Sequence, residues 1–118
     1  MNQGSVRKQT IGVLAVLSLI GVVLAGSARA GSCTGSPPSA ACGMGLLSVF
    51  ADPSDGVIGT DTTGPCGSAF YDFQRTQANF KEIMAVMLTA FSSSKNVWVV
   101  VSQCNGTRNI IDRGAVTP

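Results

Sequence analysis

The sequence contains no histidine, and only 12% of its 118 residues are charged. The chain therefore lacks the side chain most often used for acid–base catalysis near neutral pH, which is also a common zinc ligand. Its four cysteines include no C-x-x-C pair. These absences argue against an enzyme and against a metal site, and we expect no cofactor.

Basic residues are too few to form a nucleic-acid-binding surface. The whole chain has a net charge of +2, but Arg7, Lys8 and Arg29 lie in an N-terminal segment that is expected to be removed. The rest of the chain has five basic and six acidic residues, with no basic cluster. We therefore do not expect nucleic acid as a partner.

The first 30 residues have the three parts of a secretory signal peptide: a basic start, an apolar run over 11–25, and an Ala-Arg-Ala cleavage site. The run is shorter than the about 20 residues of a membrane-spanning helix. We therefore expect no stable membrane span after cleavage, and a periplasmic or secreted bacterial protein. An uncleaved anchor is a less favoured alternative. Lipid attachment at Cys33 also ranks below free release, because residues 30–32 lack the usual lipobox leucine.

All four cysteines follow the predicted cleavage site: Cys33, Cys42, Cys66 and Cys104. An even number of cysteines behind a signal peptide predicts disulfides in an oxidising compartment. Four cysteines allow three pairings, of which we favour Cys33–Cys42 as a local loop and Cys66–Cys104 as a long-range link. Cleavage removes 30 of the 118 residues and leaves 88. This is one small domain, in which cross-links contribute a large share of the stability.

Residues 71–103 predict an amphipathic helix followed by an apolar strand. Apolar side chains recur at helical spacing: Phe80, Ile83, Met84, Met87, Leu88 and Phe91. Asn79 and Glu82 fit a capping box at the start of the helix, and Asn96 suits the left-handed cap at its end. Residues 97–103 are rich in valine and apolar on both faces, which predicts a central strand covered on both sides.

Shorter apolar runs predict four more strands, at 45–51, 57–60, 69–73 and 108–112. Residues 31–44 are rich in Gly, Ser and Pro, and predict an irregular arm held by its two cysteines. The folded domain then spans 45–118, is α+β and mostly β, and has the order β-β-β-α-β-β. The OB-fold, a five-stranded and partly open barrel, has this order when a helix closes one end. The alternative is a five-stranded sheet with the helix on one face.

A resemblance covers the same region. Residues 71–106 read YDFQRTQANFKEIMAVMLTAFSSSKNVWVVVSQCNG, a pattern typical of small secreted bacterial proteins. An aromatic strand leads into a helix with a Met/Leu/Ala stripe, and a valine-rich strand ending in Cys follows. Over about residues 45–113 the layout is similar to that of the pentamer-forming B subunits of AB5-type toxins, especially the subtilase cytotoxin type. The resemblance implies binding of cell-surface glycans and a ring of identical subunits.

Two classes of function remain. The first is a non-catalytic module that binds a glycan or a protein, either as a single chain or as a homo-oligomeric ring. It would use those of five aromatic and basic side chains that prove exposed: Tyr71, Phe73, Arg75, Trp98 and Arg108. The second is a periplasmic inhibitor or structural protein that caps a protein partner. Exposure of Trp98 would favour the first class, because tryptophan is otherwise an ordinary core residue.

Overall fold

The computed structural model describes residues 31–118, and the predicted signal peptide lies outside them. Within this range the chain is mostly β, with six strands and one helix. The elements are β1 (Ser32–Thr34), β2 (Ala40–Ala51), β3 (Asp55–Thr60), β4 (Phe70–Gln74), α1 (Phe80–Ser92), β5 (Asn96–Asn105) and β6 (Arg108–Thr117). This order confirms the predicted helix between the third and fourth of the long strands.

The six strands form one sheet in the order β1-β2-β3-β4-β6-β5. Strands β4 and β6 run parallel, and the other neighbours are antiparallel. Strand β2 also pairs with β5, which closes the sheet into a partly closed barrel. Residues 40–45 of β2 pair with β5 and residues 46–51 pair with β3. An irregular step between Leu46 and Ser48 separates the halves, and such bulges bend a strand.

The number of strands differs from the expected five. Residues 31–44 were expected to be irregular, but they contain β1 and the start of β2 at Ala40. Glycine and serine disfavour a strand locally. Here long-range pairing overrides that preference, because β1 lies along one edge of β2 and β5 along the other. Partners on both edges satisfy the backbone N–H and C=O groups of this segment.

The core lies inside the barrel and under the helix. It is built from buried side chains of all five long strands and the helix: Ala40, Cys42, Met44, Ile58, Tyr71, Phe73, Ile83, Met87, Ala90, Val97, Val99, Val101 and Ile111. Helix α1 contacts each of the five long strands, as expected of a helix that covers one end of a barrel. Leu88 and Phe91 belong to the predicted apolar stripe but are 51% and 46% exposed. The apolar stripe of α1 is therefore wider than the face of the helix that packs against the core.

Both ends of the helix differ from the predicted caps. Asn79 precedes α1, but its side chain makes no capping bond. Its amide instead donates to the carbonyl of Asp112 at 3.0 Å, which ties the start of the helix to β6. At the other end the left-handed residue is Ser94, with φ 55°. Asn96 is already the first residue of β5 and lies beside β2.

Both disulfides have the predicted pairing. Cys33–Cys42 joins residues directly opposite each other on β1 and β2, and Cys66–Cys104 links the loop after β3 to the end of β5. Two disulfides are consistent with an extracytoplasmic protein. The bond to Cys42 also uses the sulfur that lipid attachment at Cys33 would need. No helix within residues 31–118 is long and apolar enough to cross a membrane.

The long-range disulfide should supply much of the stability. It joins residues 38 apart in the sequence, and the loss of unfolded-chain entropy then contributes about 4 kcal/mol. We expect the C66S/C104S variant to lose about that much free energy of unfolding in urea denaturation. Wild-type protein in reductant, which opens both bonds, should lose at least as much. A loss below about 1 kcal/mol would contradict the chain-entropy account.

Candidate binding site

Two glycines, Gly43 and Gly45, leave part of the outer face of β2 without side chains. Cys42 and Met44 point into the core, so Gly43 and Gly45 point outward. A Cβ atom on Gly43 would meet no atom within 4 Å, and one on Gly45 would stand 2.9 Å from the carboxylate Oδ2 of Asp61. The strand therefore offers bare backbone with open space above Gly43.

The strand register places Trp98 and Asn96 beside this bare backbone. On β5, Trp98 is paired with Gly43 and Asn96 with Gly45. On the far side of Trp98, β6 carries another small residue, Ala115. Neither neighbouring strand therefore carries a side chain large enough to cover the indole ring. The ring is 40% exposed, so the prediction of a strand covered on both sides is wrong at Trp98.

These residues surround a hollow of about 300 Å³, here called the Trp98 hollow. Besides Trp98 and the two glycines, four polar side chains line it: Ser32, Asp61, Asn96 and Thr117. Small-molecule sites typically combine apolar or aromatic surface with a few placed polar groups, in volumes that begin near this size. The Trp98 hollow has this composition.

Asp61 is held in a fixed orientation. Its Oδ1 accepts one hydrogen bond from the backbone N–H of Gly45 at 3.0 Å and another from the hydroxyl of Thr62 at 2.8 Å. Its Oδ2 lies on the side of Gly45. Asp61 is the one charged side chain among the described residues that line the hollow. A pre-oriented carboxylate is a strong acceptor for a hydroxyl donor on a ligand.

Of the five side chains expected to bind if exposed, Trp98 alone lines this hollow. Tyr71 and Phe73 are fully buried in the core. The hydroxyl of Tyr71 donates to the carbonyl of Thr62 at 3.0 Å. Burial, and then the negative charge of Asp61, raise the pKa of Tyr71 to about 12. Both aromatic residues therefore stabilise the barrel and are not available to a ligand.

Arg75 is exposed, but it is engaged within the protein. Its Nε and Nη2 donate to the carbonyl of Asp52 at 3.1 and 3.0 Å. Its guanidinium carbon lies 5.1 Å from the centre of the Phe80 ring, a cation–π contact. Arg75 therefore links the turn between β2 and β3 to the first residue of α1.

Arg108 lies on the outer face of the sheet, away from the Trp98 hollow. Its Nη1 donates to both carboxylate oxygens of Asp72 at 3.1 and 3.0 Å, and its guanidinium carbon lies 5.7 Å from the centre of the Phe70 ring. Asp72 is only 3% exposed. Burial, with a hydrogen bond to Asp55, raises the pKa of Asp72 to about 6, and Arg108 offsets this only in part. The pKa of the Asp72 carboxyl therefore lies well above that of an ordinary aspartate.

Sequence reasoning missed most of the polar residues of the hollow. It assigned Asp61 to a loop, Asn96 to a helix cap, Gly43 to an irregular arm and Gly45 to the first position of a strand. One signal was present: Gly43 and Gly45 alternate with Cys42 and Met44, which is the period of a strand with one bare face. The loop and cap residues carried no comparable signal, because only the register brings them together.

No family model, curated protein or solved structure matches this chain. Any proposal about function therefore rests on the residues of the hollow. Within residues 31–118, no group of three or more His, Cys, Asp or Glu side chains is placed to hold a metal ion. The hollow offers a ligand one exposed aromatic ring, the fixed carboxylate of Asp61 and three further polar side chains.

The stability of the protein should increase as the pH falls from about 7 to about 5. The pKa of Asp72 is about 6 in the folded state, against a usual 3.8. The folded state therefore binds this proton more tightly than the unfolded state does. The stabilisation that results is complete below the usual pKa of 3.8. It is lost as the pH rises through the folded-state pKa of about 6.

Thermal unfolding of wild-type and D72N protein across this pH range tests the assignment to Asp72. The asparagine does not titrate, so D72N should show a smaller change in Tm between these pH values. D112N is the matched control, because Asp112 pairs with Arg113 at a 40% exposed site. The D112N variant should therefore show the same change in Tm between these pH values as the wild type. A D72N profile parallel to that of wild type would assign the pH dependence to other groups.

Proposed function

We propose that this protein is a non-catalytic binding module that takes a sugar ring in the Trp98 hollow. The observation that carries the proposal is the exposed indole of Trp98, which stands beside bare backbone and the fixed carboxylate of Asp61. A sugar ring has faces of C–H groups and an edge of hydroxyls. The face would pack on the indole, and a hydroxyl would donate to Asp61.

The size of the hollow supports a small ring as its ligand. A volume of about 300 Å³ is at the lower end of the range for small-molecule sites. A stable protein partner needs roughly 800 Å² on each side of the interface, which a single hollow does not supply. The resemblance in layout to toxin B subunits is a second argument for a glycan ligand, since those subunits bind cell-surface glycans.

We also propose that the barrel is an OB-fold variant with an added N-terminal strand. When β1 is set aside, five strands follow each other around the barrel as β2-β3-β4-β6-β5 and back to β2. The helix lies between the third and fourth of them. OB-folds are five-stranded, partly open barrels that bind oligosaccharides and oligonucleotides on their strands and loops. This supports a binding role for the outer surface.

A sugar that enters the hollow should change the fluorescence of Trp98, which is the only tryptophan in the chain. We expect a saturable change with at least one of a panel of methyl glycosides: glucose, galactose, mannose, fucose, N-acetylglucosamine and N-acetylneuraminic acid. The W98A variant should bind the same sugar about tenfold more weakly in calorimetry, because the stacking surface is lost.

Two further variants make this test specific. G43V should fold normally, because a Cβ at this position meets no atom within 4 Å and valine suits a strand. It should nevertheless block binding by filling the space beside Trp98. F70A removes a ring that is similarly exposed, at 44%, but lies outside the hollow, and it should bind as wild type does. Sugar binding that survives both W98A and G43V would overturn the proposal.

A second candidate function is protein binding by the outer face of β2 and β4. Three large apolar side chains on these strands are exposed: Leu47 by 67%, Phe50 by 43% and Phe70 by 44%. Large apolar side chains that are exposed together on one face are typical of protein interfaces. Such a face suits a cap on a protein partner as well as an assembly of identical subunits. We propose the assembly, because the resemblance to ring-forming subunits points the same way.

Light scattering on the oxidised protein, without the signal peptide, tests the assembly. We expect a mass that is a multiple of the monomer mass, five-fold for a ring. The F50S/F70S variant should shift the mass towards the monomer, since polar side chains weaken an apolar contact. L88S, which changes an exposed apolar residue on α1, should leave the mass unchanged. If the wild-type protein is a monomer, the proposed assembly is wrong, and the proposed sugar site is unaffected.

A further inference from the structure

A second hollow lies next to the Trp98 hollow, at the end of the helix. This second hollow, of about 370 Å³, shares Gly45 and Asn96 with the first. Phe91 and Lys95 stand on its far side, so we call it the Phe91 hollow. The ring of Phe91 is 46% exposed and is therefore only partly used by the core.

The two hollows offer similar chemistry on either side of Gly45. Each has one exposed aromatic ring and one charged side chain, Asp61 in the first and Lys95 in the second. At the junction, a Cβ on Gly45 would stand 2.9 Å from Asp61 Oδ2 and 3.4 Å from Asn96 Oδ1. Any other residue there would push against these two side chains. Glycine therefore lets the carboxylate of Asp61 and the amide of Asn96 lie close over the backbone between the two hollows, where both can contact a ligand that spans them.

We infer that the site takes an oligosaccharide, with one sugar unit against Trp98 and the next against Phe91. This inference rests on the proposed sugar-binding function. Asn96 borders both hollows, so its amide is placed to hydrogen-bond near the linkage between the two units. The ammonium group of Lys95 can donate to a hydroxyl or a carboxylate of the second unit. A single sugar would use half of this surface.

The test compares one sugar with two. Wild-type protein is titrated with the tightest-binding methyl glycoside of the panel, and with disaccharides that carry this sugar as one unit in α and β linkage. We expect the best disaccharide to bind about tenfold more tightly, because a second ring adds an aromatic contact. In F91A this gain should fall to about twofold or less, while affinity for the single sugar stays as in wild type.

Leu88 provides the matched control. It is exposed to a similar degree as Phe91 on the same helix but lines neither hollow, so L88A should keep the full gain. A wild-type protein that binds single sugars without any gain for disaccharides would overturn the second subsite and leave the proposed function intact. A gain that survives F91A would also overturn it. A protein that binds no sugar at all would overturn both.

Discussion

The structure depends on one strand, β2, that pairs with two different partners along its length. Its first half is bonded to β5 and its second half to β3, with an irregular step between Leu46 and Ser48. A straight strand could not follow both partners, and the sheet would remain open at that edge. The core residues on β3, β4 and β5 face one another only because this closure brings the two ends of the sheet together.

The candidate site is a consequence of the same closure. The segment of β2 that pairs with β5 sends Cys42 and Met44 inward and has only small residues on its outer side: Ala41, Gly43 and Gly45. The outward residues of β5 at this level are Trp98 and Asn96. Where a strand segment without large side chains pairs with one that carries a large ring, the barrel surface has a depression beside the ring. The alternation that builds the core therefore also shapes the outer wall.

Sequence reasoning found the elements whose signals are local. The helix and the valine-rich strand followed from spacing alone, and the observed pairing of the cysteines is the one favoured among the three that four cysteines allow. Which face of a strand points inward did not, because Val97 and Trp98 are both apolar and only the register decides between them. The same ambiguity applied to Tyr71 and Phe73, which proved to be core. The strand through Gly43 was missed because pairing from two sides, which stabilises it, leaves little trace in its composition.

The disulfide between Cys33 and Cys42 has a consequence for the wall of the hollow. Strand β1 has only three residues and is joined to β2 by three residue pairs and this one covalent bond. Ser32, the neighbour of Cys33, is part of the wall. Without the bond, so short a strand would fray readily from its partner. An oxidising environment therefore holds this wall of the hollow in place, whereas the reducing cytoplasm would loosen it.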